Sequence, residues 1–233
     1  MKPILILLAL FVPGAVAIAL PKDGVSDLLD RMDAAAAHFQ GMTAKVHYVT
    51  HTAVIDDDSE ESGSLVMKKL RANEVQGRID FTTPPENRRT ATFEQRKAQV
   101  YYPKIKTLQV VDLGDKGDQI DRFIMIGFGT SGAELSKDYA VKILGSEAVQ
   151  DKRAIKLELI PKSADVRALV SKLELWIAER PSGPYPIREK IYDKTPGDFR
   201  IVTYSDLQIN PRISADALKL KLPAGVKIVY PQK

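Results

Sequence analysis

What most constrains this chain is a two-residue hydrophobic period that recurs in short runs along most of its length. Ala44, Val46, Tyr48 and Thr50 alternate with Lys45, His47, Val49 and His51, and Leu65 and Met67 alternate with Ser64, Val66 and Lys68. Such a period places the two sets on opposite faces of a strand. The acidic run 56–61 is expected to be the turn between them. Val75, Ile79 and Phe81 then lead to Pro84-Pro85, which ends a strand because proline has no amide hydrogen to donate. Further strands are expected over 90–93, 98–102, 107–112, 139–147, 154–160, 171–178, 186–194, 199–208 and 219–222. Polar turns such as Gln150-Asp151-Lys152 and Thr195-Pro196-Gly197-Asp198 join them. Alternating strand–helix units are missing, so these runs predict an antiparallel sheet that curls into an open or closed barrel.

Two segments break the period. Val25, Leu28, Leu29, Met32, Ala36 and Phe39 recur at three and four residues, which predicts a helix capped by Ser26 and stopped near Gly41. Between Gln119 and Leu135, Phe123, Ile124, Met125, Ile126 and Phe128 cluster among Gly127, Gly129 and Gly132. That composition suits a short helix and a loop across a barrel mouth. The expected class is therefore mainly β with helices (α+β).

The N-terminus has its own pattern. Lys2, the apolar run from Ile4 to Val12, and Ala17-Ile18-Ala19 follow the order of a secretory signal, with cleavage expected after Ala19. The run is about half the ~20 residues that span a bilayer. Residues 20–233 are then expected to form a single exported, periplasmic domain. Lys plus Arg number 34 against 30 Asp plus Glu, a balance of +4 that falls to +3 without Lys2 and is too mild to argue for nucleic acid. With no cysteine there are no disulfides, thiolate metal sites or thiol nucleophiles, nor a lipid-anchored N-terminal cysteine.

Catalytic patterns fail on context. Gly127-Phe128-Gly129-Thr130-Ser131-Gly132 matches a nucleotide fingerprint, with Glu147 at the right remove, but strand-like sequence is expected after it rather than the helix that receives pyrophosphate. His47 and His51 on one strand stand ~13 Å apart, too far for one zinc. In the run from Asp56, Glu61 replaces the glycine of a calcium loop and Met67 replaces its closing glutamate. Ser131 lacks a nucleophile elbow. Neither an enzyme, a metal nor a cofactor is expected.

Several segments, in order, carry a resemblance: the leading helix ending Phe39-Gln40-Gly41; Gly63-Ser64-Leu65-Val66-Met67-Lys68-Lys69; Asp80-Phe81-Thr82-Thr83-Pro84-Pro85; Val100-Tyr101-Tyr102-Pro103; Leu157-Glu158-Leu159-Ile160-Pro161-Lys162; and Leu218-Lys219-Leu220-Lys221-Leu222-Pro223-Ala224-Gly225-Val226. Together they resemble the LolA family of periplasmic lipoprotein carriers and its wider LppX-containing superfamily. The resemblance implies an open antiparallel barrel with a helical lid, whose apolar cavity shields lipoprotein acyl chains between an inner-membrane exporter and an outer-membrane acceptor. Where the family carries an arginine after the Gly63 strand as lid latch, this chain has Lys69, with Arg71 and Arg78 as the alternative cations for that role.

A carrier must offer dry surface, because an exposed methylene costs ~0.8 kcal/mol in water. The expected cavity wall is Val46, Tyr48, Leu65, Met67, Ile79, Phe81, Phe93, Tyr102, Leu157, Leu159, Leu173 and Leu175, and the expected lid is Leu28, Met32, Phe123, Met125 and Phe128. The competing expectation is that these residues pack on one another as an ordinary core. A second reading of the whole chain is a sensor or interaction domain that recognises a protein or glycolipid, with Arg88, Arg89, Arg96, Lys97, Lys104 and Lys106 as its docking surface. A monomer is expected in either case.

Overall fold

The computed structural model describes residues 24–71, 74–94, 96–114, 126–178 and 183–231. The expected signal segment, and Phe123 and Met125 of the expected lid, lie outside the described residues. Helix α1 (Gly24–His38) is followed by six strands, β1 (Gly41–Thr52), β2 (Asp57–Arg71), β3 (Glu74–Thr83), β4 (Arg89–Glu94), β5 (Lys97–Tyr102) and β6 (Thr107–Asp112). Helix α2 (Gly132–Asp138) then leads into β7 (Tyr139–Val149), β8 (Lys152–Pro161), helix α3 (Ala164–Arg167), β9 (Val170–Ala178), β10 (Pro186–Asp193) and β11 (Phe199–Ile209). A one-turn helix α4 (Ala215–Leu218) and a short β12 (Lys227–Val229) close the described chain.

All twelve strands join one sheet in the order β12-β6-β5-β4-β3-β2-β1-β11-β10-β9-β8-β7. Every pairing is antiparallel except that of β12 with β6. The sheet is open, with β12 and β7 as its edges. The long hairpin of β1 and β2 lies near its middle and pairs from Gly41 opposite Lys68 to Thr52 opposite Asp57.

Register divides the side chains into an inner face, which α1 covers, and an outer face. One inner row runs Glu61, Tyr48, Val202, Glu189, Leu175, Leu157, Ile143 across seven strands. Under α1 and α2 this face holds two packed clusters. Leu157, Leu159, Leu173, Leu175 and Ile177 meet Leu28, Met32 and Leu135 in one; Phe39, Met42, Val46, Leu65, Met67, Val75 and Phe128 form the other. Each fully buried side chain of this size contributes about 2 kcal/mol of transfer free energy.

The outer face of β8–β11 is a polar ladder that satisfies itself. Glu174 receives Lys156 at 3.0 Å and Lys172 at 3.0 Å. Lys156 lies 4.6 Å from the Trp176 ring centroid and Lys190 lies 3.6 Å from that of Phe199, both within cation–π reach.

Four expectations need correction. The acidic run is strand from Asp57 on, and only Asp56 belongs to the turn: the bend occupies residues 53–56, and Asp58 and Glu60 face His51 and His47 across the hairpin, at 2.8 and 3.1 Å. The segment 219–222 has no strand partner, and the strand comes later, at Lys227–Val229. Ser26 lies inside α1, which is already helical at Gly24. A helix, not strand, follows the Gly127–Gly132 loop. Its first turn is closed by a capping box between Ser131 and Glu134, and Ala133 N–H donates to Asp33 Oδ1 at 3.0 Å, so protein oxygens already occupy those amides.

Candidate functional site

The inner face is filled unevenly. Over β8 and β9, Leu157, Leu159 and Leu175 are 0% exposed and Leu173 is 1% exposed. The cluster they form with Leu28 and Met32 is solid. Across β3–β6 the same face carries Ile79, Ala91, Phe93, Ala98, Val100, Tyr102 and Val111, all only half-buried. Pairing sets these residues side by side: Ile79 opposite Ala91, Ala91 opposite Val100, Phe93 opposite Ala98, and Ala98 opposite Val111. The Phe93 ring covers Gly77, where a Cβ would stand 2.0 Å from it. Here the sheet presents a half-covered apolar strip, interrupted on β6 by Gln109 opposite Val100, whose Ile79 and Phe93 also touch the second cluster.

The expected wall residues thus fall into two groups. Val46, Leu65, Met67 and Phe81 are buried on β1–β3, and Leu157, Leu159, Leu173 and Leu175 are buried on β8 and β9; Tyr48, Ile79, Phe93 and Tyr102 are half-buried at the accessible side. Among the lid residues, Leu28 and Met32 press on the β8–β9 wall. Phe128 stacks on Tyr185 and meets Tyr204 edge-on, with centroids 6.2 and 5.1 Å away.

Lys69 shares the inner-face parity of Leu65 and Met67 and pairs with Val75, and its backbone N–H donates to Gln40 O at 2.9 Å. Its ammonium meets no carboxylate among the described residues. Arg78 is on the outer face, where it grips Asp80 and donates to Lys219 O at 2.7 Å, clamping the C-terminal segment. Arg71 pairs with Glu74 at 3.5 Å.

The basic stretch does not form one surface. Arg88, Lys104 and Lys106 lie at one end of β4–β6 and Arg96 and Lys97 at the other, because the hairpins alternate direction. Arg89 turns inward, its guanidinium 4.1 Å from the Phe81 ring centroid and bonded through both terminal nitrogens to Glu61.

Three polar groups missed by the sequence reading are set into the inner face, one at the β2–β4 edge of the apolar strip and two on β11 and β10, beyond β2 and β1 from it. The first is the Arg89–Glu61 pair. The second is Arg200, whose Nη2 donates to Asp193 Oδ1 at 2.5 Å. Burial opposes its charge, but Asp193 and the neighbouring Tyr48 outweigh burial and raise its pKa. The third is Glu189, flanked by Val202 and Leu175 and bonded to Tyr204. Burial pushes this carboxyl up to about 8, and the Tyr204 hydrogen bond offsets only part of that. Tyr204 itself is raised well above the usual phenol range by burial and then by Glu189.

Among the described residues no group of three or more His, Asp or Glu side chains could hold a metal ion, and no helix is long and apolar enough to cross a membrane. The apolar side chains of the face can shed water from a hydrocarbon, and its polar groups can exchange hydrogen bonds at a few fixed points.

No family model matches the sequence, and no curated protein does. The fold does have relatives of known structure. A conserved protein of Thermus thermophilus aligns at TM-score 0.52 and 13% identity, over 89% of this chain and 99% of that one. MucB aligns at 0.52 and 14% identity, over 84% of this chain and 62% of its own length. Members of the LolA superfamily are among the similar structures. One from Nitrosomonas europaea aligns at 0.43 and 16% identity, over 84% and 97% of the two chains. At these identities the likeness is one of fold: a large open antiparallel sheet with a few helices.

Proposed function

We propose that this protein is a periplasmic carrier that binds acyl chains of lipoproteins or other lipids on the inner face of its open sheet, without chemistry, and moves them from an inner-membrane source to an outer-membrane acceptor. The observation that carries this reading is the half-buried apolar strip of Ile79, Ala91, Phe93, Val100, Tyr102 and Val111. It adjoins the buried side chains of β1–β3, so a hydrocarbon laid along it would leave water at ~0.8 kcal/mol per methylene. Val46, Tyr48, Leu65, Met67 and Phe81 extend the strip toward the hairpin, while Leu28, Met32 and Phe128 brace the covering side. Lys69, near the end of α1, is the candidate latch. The segment that begins the chain would supply export.

Delipidated protein titrated with a fluorescent fatty acyl compound is expected to bind saturably. Val100→Asp, which places a charge on the strip, should weaken that binding at least tenfold, whereas Val110→Asp, on the outer face of the next strand, should not. Linear, non-saturating uptake by the wild type would end the carrier reading. Capture of a discrete envelope protein by the same preparation would then favour an interaction domain instead.

A further inference from the structure

If the inner face receives hydrocarbon, as just proposed, its polar groups determine what the hydrocarbon is attached to. Arg200 shares that face with Tyr48 and Glu189: it pairs with Thr50 and Ile191, one diagonal step from both. Its Nε is buried and, alone among the buried side-chain nitrogens and oxygens of the described residues, hydrogen-bonds to nothing. A guanidinium keeps its protons, so this N–H is a permanent donor without a well-formed acceptor, the Tyr48 side chain being its polar neighbour. Leaving such a buried donor unmet is unfavourable, because it loses its water without gaining a partner. What completes the site is an oxygen.

The surrounding charges select the kind of oxygen. Arg200 is answered by Asp193 and Arg89 by Glu61, so these four groups carry no net charge. Burial pushes the Glu189 carboxyl up to about 8, so it adds little negative charge beside Arg200. A carboxylate or phosphate entering here would face Asp193 and Glu61 with no uncompensated cation to receive it. A neutral carbonyl oxygen has no such difficulty.

We infer that Arg200 Nε, supported by Tyr48 and Glu189, donates to the carbonyl oxygen of the ester or amide that joins an acyl chain to its parent molecule. The protein then selects linked acyl chains over both free fatty acids and plain hydrocarbons.

The test uses the delipidated full chain and three pyrene-labelled compounds of equal length: an alkane, a free fatty acid and its methyl ester. The ester is expected to bind about tenfold more tightly than the alkane, the worth of one charge-assisted hydrogen bond. Arg200→Lys keeps a cation opposite Asp193 but lacks Nε, and should bring the ester down to the alkane's affinity while leaving the alkane unchanged. Tyr48→Phe should narrow the preference a few-fold and carries the test should the lysine variant fail to fold. Equal wild-type affinity for ester and alkane, tightest binding of the free acid, or an equal loss for all three compounds in the variants would each overturn the inference. If none of the three binds the wild type, the carrier reading fails first and this one with it.

Discussion

Glu189 is the residue whose environment departs furthest from its chemistry. Burial pushes its carboxyl from the ordinary 4.5 up to about 8 in the fold. Between those values the folded chain holds a proton that the unfolded chain has released, so stability falls as pH rises from about 4.5 to 8 and levels off above. The full span amounts to a few kcal/mol. Glu189→Gln removes the titration and is expected to flatten the dependence of melting temperature on pH across that window; an unchanged slope would place the proton elsewhere. Arg89→Met is expected to cost about 3 kcal/mol in denaturant unfolding, because it strands the Glu61 carboxylate, which is 8% exposed. Both acidic groups were readable in the sequence. Glu189 alternates in register with Ile187 and Ile191, and Glu61 with Gly63 and Leu65, so each occupies an apolar slot of its strand. Following only the apolar letters of the alternation passes over them, as it passes over Arg200 between Phe199 and Val202.

The helices over the inner face are tied together where α2 begins, by the Ala133–Asp33 hydrogen bond and by a close backbone approach beside it. A Cβ on Gly132 would stand 2.2 Å from the Leu29 carbonyl oxygen, so α2 can approach α1 this closely only with glycine there. Gly132→Val is expected to destabilise the protein by about 1–3 kcal/mol, measured by chemical unfolding, and to speed amide exchange in α1 before the strands. Ser131→Ala, which removes the cap alone, should cost about 1 kcal/mol. Most strands follow directly from the alternation, since one buried face forces period two. The acidic hairpin arm was misread because an Asp and Glu run resembles a turn until its histidine partners across the ladder are known. The place of β12 beside β6 depends on a crossing by the C-terminal segment held through Arg78 to Lys219, a contact 141 residues apart that no local pattern encodes.

Across the molecule, the inner face divides its labour. The β8–β9 side is closed with leucines against α1, whereas the β3–β6 side leaves its apolar side chains half covered. Leu157→Ala is therefore expected to lower stability by about 3 kcal/mol with little change in acyl affinity, the reverse of Val100→Asp. The sequence assigned both sets of residues to one wall, because alternation tells which side chains share a face and not which of them a helix will cover. The division is most directly tested by nuclear magnetic resonance with a nitroxide-labelled stearoyl ester added to delipidated protein. The account predicts selective broadening of the amides of Ile79, Phe93, Val100 and Tyr102, with Leu157 and Leu173 spared. Broadening spread evenly over the surface, or centred on the outer face around Trp176, would contradict it.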